Sequence, residues 1–199
     1  MKSIKKLFEI IACLVIVVLL VGHLSVVANS GEEWKTYESK EWGFKIDYPG
    51  SWNLHKSASI PNIMIITFSL PEEGITKKYW SVAIEVRKVA HRFKSKEEPL
   101  EEIPIEDLTL EEWTEIVTSN SKKLGVPFFK VIEESDTLVD GVLAKKQIVR
   151  VGIFKTTRIF AIKNEVGYLI SYGSPNLSIL SKPYLEMTNK MIDSFEFIW

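Results

Sequence analysis

His55 and His91 are the side chains beyond the first thirty residues best suited to hold a metal or move a proton near neutral pH. They stand far apart, in neither an HxH nor an HxxxH spacing, so neither reads as half of a metal pair. Asp140-Gly141 could open a calcium loop only if acids followed at alternate positions. Val142, Ala144 and Lys146 stand there instead, so the pair reads as a turn. Glu97, Glu98, Glu101, Glu102, Glu106 and Asp107, with Glu111 and Glu112, make a local negative patch. It reads as a solvated loop leading into an acid-biased helix start in preference to a cation site. Nucleophilic catalysis finds no GxSxG elbow, and Cys13 is the single cysteine. P-loop and dinucleotide fingerprints are also absent from the sequence. The expectation is a non-enzymatic chain without metal or cofactor. An envelope-acting hydrolase is the alternative, and it requires His55 or His91 to meet a serine and an acid in space. Asn176-Leu177-Ser178 is a glycosylation sequon.

Aromatic residues are dense near the start of the domain: Trp34, Tyr37, Trp42, Phe44, Tyr48 and Trp52. Two readings stand side by side, an aromatic seam of the core and a partly exposed patch that touches a partner. On the second reading Trp42, Tyr48 and Trp52 are the candidate contact residues.

The elements that would position these side chains follow from hydrophobic period. Phe44, Ile46 and Tyr48 alternate with Lys45 and Asp47 as in a half-buried strand, which Pro49-Gly50 ends. Ile63–Leu70, bounded by prolines, predicts a buried strand, and Trp80–Val89 alternates with Val82, Ile84 and Val86 on one face and Glu85 and Arg87 on the other. Residues 91–107, charged and carrying Pro99 and Pro104, predict a surface loop. Thr109 and Glu112 form a capping box for a helix that Gly125 stops, with Leu110, Trp113, Ile116, Val117 and Leu124 as its apolar face. Phe128–Glu134, Val142–Phe154, Thr156–Lys163 and Val166–Tyr172 predict consecutive antiparallel strands, turning at Asp140-Gly141 and Asn164-Glu165. A last helix begins near Pro183 and turns Tyr184, Met187, Met191, Ile192 and Phe195 inward. Strands in succession with helices inserted late predict an α+β layer fold, an antiparallel sheet covered by helices.

Residues 1–28 lie outside that pattern. Lys2, Lys5 and Lys6 precede an apolar run from Ile10 to Val21, and Val26-Val27-Ala28 is an imperfect cleavage site. As a helix, residues 10–28 would span about 28 Å, close to the hydrocarbon thickness. The segment reads as a signal peptide or a retained N-terminal membrane anchor, with length favouring the anchor; Ile10-Ile11-Ala12-Cys13 is a weak lipidation box. The lysines before the run and Glu32-Glu33 after it place the N-terminus inside and the remainder outside. A polar linker over 29–33 then leads to one domain over 34–199. The formal charge is −1 for the chain and +2 for residues 1–28 (three lysines, one glutamate), leaving −1 − 2 = −3 for the exported part. Lacking cysteine, that part has no disulfide; lacking a basic, aromatic-interleaved run, it predicts no nucleic-acid partner. The single glutamine, Gln147, with abundant Lys, Glu and Ile, hints at heat adaptation.

The segment Gly43-Phe-Lys-Ile-Asp-Tyr48-Pro-Gly-Ser-Trp52 resembles the GF-x-I-x-YP-x-x-W opening of the PsbP-like families, which include Mog-type Ran-binding proteins. Leu108-Thr-Leu-Glu-Glu-Trp113, Asp140-Gly-Val-Leu-Ala-Lys145, Tyr168-Leu-Ile-Ser-Tyr172 and Met191-Ile-Asp-Ser-Phe195 are similar to later family motifs, over roughly residues 34–197. The resemblance implies a sandwich around an antiparallel sheet. It also implies a non-enzymatic binding or assembly role on the outer face of a membrane, with a protein or envelope partner. An ion-retaining extrinsic photosystem II subunit is a further alternative, if the source is photosynthetic, and a small-ligand carrier with an apolar pocket is another. The family's basic arm and metal-contacting residues have no counterpart in the sequence, so no site residue is transferred.

Overall fold

Among the described residues the first strand begins at Trp34, and the chain proceeds largely by neighbouring antiparallel hairpins. The computed structural model describes residues 32–71, 81–93, 101–126, 128–175 and 182–199. The apolar segment 10–28, its expected helix and the sequon Asn176 fall outside them. Strands β1 (Trp34–Ser39) and β2 (Phe44–Pro49) form a hairpin, and β12 (Glu196–Phe197) adds to β2, giving a three-stranded sheet. The large sheet takes β3 (Asn53–Ile60), β4 (Ile63–Ser69), β5 (Ser81–Arg87), β8 (Lys130–Val139), β9 (Val142–Val151), β10 (Phe154–Lys163) and β11 (Val166–Pro175). Its order is β3-β4-β5-β11-β10-β9-β8, antiparallel at every described pairing. A small hairpin pairs β6 (Val89–Arg92) with β7 (Glu101–Pro104) and runs into a 3-10 turn at Ile105–Asp107. The helices are α1 (Leu110–Lys123) and α2 (Lys182–Asp193).

Period-two alternation divides the large sheet into two faces. One buries Ile66, Phe68, Val82, Ile84, Tyr168 and Ile170 against Phe44 and Ile46 of the small sheet and Met191 of α2. The other carries a smaller cluster, in which Trp113 and Ile116 of α1 meet Phe160, Leu169, Ala90 and Ile105. The architecture is α+β and mostly antiparallel sheet, but helices are only part of the cover, since the three-stranded sheet closes the main core.

Several sequence expectations need correction. Residues 101–107 are no surface loop: Glu101–Pro104 form a strand, and Ile105, masked by neighbouring charges, is fully buried in the cluster of Trp113 and Phe160. β3 carries no clean apolar alternation because it is the edge strand of the large sheet. The expected strand from Val142 to Phe154 is cut at Gly152, whose φ of +60° turns the chain into β10. Leu124, assigned to the apolar face of α1, is exposed, and Thr114, Thr118 and Ser121 take buried places on that helix beside Trp113 and Ile116.

Candidate functional site

Register brings six polar side chains and Ala83 into one row across the second face. Cross-strand pairing aligns His55, Thr67, Ala83, Ser171, Arg158, Gln147 and Glu134, one residue from each strand. The next row aligns Ile65, Glu85, Leu169, Phe160, Lys145 and Asp136. Helix α1 reaches this surface with hydroxyls. Thr118 donates to Gln147 Oε1 at 3.2 Å, and Gln147 Nε2 donates to Glu134 at 2.7 Å, so the buried amide is held on both sides. Lys145 bridges Asp136 at 2.9 Å and Glu111 at 3.5 Å; its bond to Asp136 leads the effects that raise its pKa.

Toward the far end of α1 the same face opens into a cavity of about 490 Å³. Trp113, Ile116, Leu169 and Ile63 supply apolar wall, while Arg158, Arg87, Glu85, Ser171 and Ser121 supply polar atoms. Arg158 is half-buried; its Nη1 donates to Ser121 Oγ at 3.2 Å, and its guanidinium lies 5.2 Å from the Phe129 ring centre. Burial lowers its pKa, and nearby Glu85 opposes that shift. Glu85 itself is engaged by Arg87 Nε. Among the described residues, no carboxylate stands within salt-bridge distance of Arg158. Asn120 fixes the mouth: its Nδ2 donates to the His91 carbonyl and its Oδ1 accepts from the Phe93 N–H at 3.2 Å.

The sequence candidates are distributed elsewhere or only partly converge. His91 Nε2 lies 3.3 Å from Glu102 and borders the cavity, but Ser121, which shares the cavity, donates its hydroxyl to the Val117 carbonyl at 3.0 Å. His55 stands exposed at the end of the polar row, on edge strand β3. Four described acids of the negative patch have partners: Glu102 lies 3.3 Å from His91 Nε2 and Glu111 3.5 Å from Lys145. Glu101 lies 3.6 Å from Arg92, and Glu112 caps α1. Among the described residues, no three His, Cys, Asp or Glu side chains come together as a metal site.

Trp42 and Trp52 are 8% and 4% exposed in the main core, and half-buried Tyr48 packs against Phe68 with ring centres 4.9 Å apart. The core seam therefore accounts for both tryptophans. Sequence reasoning passed over Arg158. Its signal was a charge in phase with the apolar face of β10, between Thr156 and Phe160. Glu85 and Arg87 are legible in the sequence only as the polar face of β5.

No family model matches the sequence, and no curated protein matches it in sequence. Solved structures do match. Cyanobacterial PsbP (CyanoP) from Synechocystis sp. PCC 6803 aligns over 85% of this chain and 95% of its own, at 12% identity and a TM-score of 0.55. The Saccharomyces cerevisiae Ran-binding protein Mog1p aligns over 84% and 97%, at 11% identity and a TM-score of 0.48. LpqN, involved in cell envelope biogenesis of Mycobacterium tuberculosis, aligns over 86% and 94%, at 10% identity and a TM-score of 0.46. At such identities the likeness concerns the fold alone, and the match to the cyanobacterial protein supports a PsbP-like α+β fold for this chain.

Proposed function

We propose that the chain is a non-catalytic binding or complex-assembly module working on the extracytoplasmic face of a membrane, with a protein or envelope component as partner. The carrying observation is the N-terminal sequence: three lysines, an apolar run from Ile10 to Val21, then acidic Glu32-Glu33 and a domain without cysteine. The PsbP-like fold supports a binding role without contributing a reaction. The amide and ion pair beneath α1 fit the same reading: Thr118, Gln147 and Glu134 are bonded in series, and Lys145 is paired with Asp136.

The test is topology in a bacterial host, using the full chain with a reporter tag after Trp199. The expected result is a tag in the membrane fraction that protease destroys in spheroplasts without lysis. Deletion of residues 1–28 should leave the tag inside and protected. A full-length chain protected in spheroplasts would overturn the proposal, and a mature protein lacking residues 1–28 would reduce anchoring to secretion.

A further inference from the structure

We propose that the cavity beside α1 binds a small amphiphilic monoanion, an alkyl carboxylate, with Arg158 pairing its headgroup and the Trp113-Ile116-Leu169 wall receiving its chain. This rests on the reading of the domain as a binding module and gives that module a ligand class.

The first argument is charge. Arg158, Arg87 and Glu85 border one cavity, and Glu85 is engaged by Arg87, so the formal sum of the three is +1 with Arg158 as the surplus. A half-buried guanidinium has lost part of its hydration, and an anion that pairs with it restores the lost interaction. Burial already weighs against its charge, consistent with the direction of its pKa shift. The second argument is geometry. Arg158 is held from two sides, by Ser121 Oγ at 3.2 Å and by the Phe129 ring, and Ser171 stands directly opposite it on β11. A planar fork fixed in this way matches the two oxygens of a carboxylate. The third is shape. The cavity's 490 Å³ falls in the range of small-ligand pockets, and its apolar wall continues from the buried α1 cluster. A bare inorganic anion would leave that wall wet, and a neutral hydrocarbon would leave Arg158 without a carboxylate partner among the described residues. Only a ligand with both parts satisfies both.

Calorimetry would use the full chain in phosphatidylcholine nanodiscs, with empty nanodiscs subtracted. Octanoate is the probe, octanol supplies the chain without the charge, and acetate the charge without the chain. Octanoate should bind at least tenfold more tightly than either control. Arg158→Gln should weaken octanoate by about tenfold or more, the range of a lost charge-assisted hydrogen bond, and leave octanol unchanged. Ser171→Leu, which occupies part of the space, should weaken octanoate while keeping the thermal unfolding midpoint near that of the parent. Equal affinity for octanoate and octanol, or undiminished octanoate binding by a folded Arg158→Gln protein, would overturn the proposal. Wild-type protein that binds no octanoate, yet displays its tag outside spheroplasts, would overturn the ligand class and leave the binding-module reading standing.

Discussion

Tyr168 shows how one side chain can join distant parts of this chain. Its ring is fully buried between Phe44, Phe195 and Phe197, its hydroxyl donates to the Trp42 carbonyl at 2.7 Å, and it accepts from Trp199 Nε1 at 3.0 Å. Tyr168→Phe leaves an acceptor and a donor without their phenol, so it should cost about 1–3 kcal/mol in denaturant unfolding. Burial pushes the phenol from 10.0 up to about 12. The unfolded chain releases this proton near pH 10 and the folded chain only near pH 12. Stability should therefore be fully present below pH 10 and fall between pH 10 and 12. Unfolding curves collected across that window should be less steeply pH-dependent for Tyr168→Phe, with Tyr172, also raised by burial, keeping a share of the slope. An unchanged slope in the variant would refute the assignment. Gly43 belongs to the same cluster: a Cβ there would stand 1.7 Å from the Trp199 ring, and its φ of +66° favours glycine. The GF dipeptide of the opening motif is thus explained by close approach.

At the scale of elements, the helix start is where sequence and structure agree in atomic detail. Thr109 Oγ1 accepts from Glu112 N–H at 3.2 Å, and Glu112 accepts from Thr109 N–H at 2.9 Å, completing the capping box. Thr109→Ala should lower stability by about 1 kcal/mol in thermal or urea unfolding, the usual cost of a lost cap. The bond from the Thr109 backbone N–H, followed by that from its hydroxyl, holds the Glu112 carboxyl below its ordinary 4.5. This part of the stability is present above pH 4.5 and disappears as acid protonates Glu112 through its lowered folded value. Thr109→Ala keeps the backbone bond and removes the hydroxyl's share, so it should flatten that acid limb only in part. Glu112→Gln should abolish this contribution, and an acid limb unchanged in Glu112→Gln would count against the box.

Strands were legible where one face is apolar, as in β5, and illegible where the signal was short or mixed. β3 is an edge strand with few apolar residues, β7 hides Ile103 among acids, and β12 spans two residues that pair only because β2 offers an edge. The cavity was hardest to read, since Arg158, Ser121 and Glu85 come from three separated segments. Only register and the placement of α1 unite them.

For the whole molecule, residues 34–199 form one compact unit whose two main sheets share a single core. The small sheet has no independent interior: Phe44 and Ile46 are fully buried against the large sheet and the end of α2. Two hydrogen bonds reinforce the joint, Tyr168 to Trp42, and the Phe197 N–H to Asp140 Oδ2 at 2.9 Å from the β8–β9 turn. A two-layer core of this kind exposes apolar surface on both sides if either sheet departs, so neither gains by leaving first. Hydrogen exchange across a urea series should therefore give β2 and β10 the same unfolding free energy, and tyrosine fluorescence and far-UV dichroism the same midpoint. Asp140→Ala should shift both probes together by about 1–3 kcal/mol. The variant loses the bond to Phe197 and places alanine at a φ of +46°, where aspartate is better tolerated. Earlier loss of protection in β2 alone would show that the small sheet is an appendage, and the shared core would then be insufficient to couple the layers.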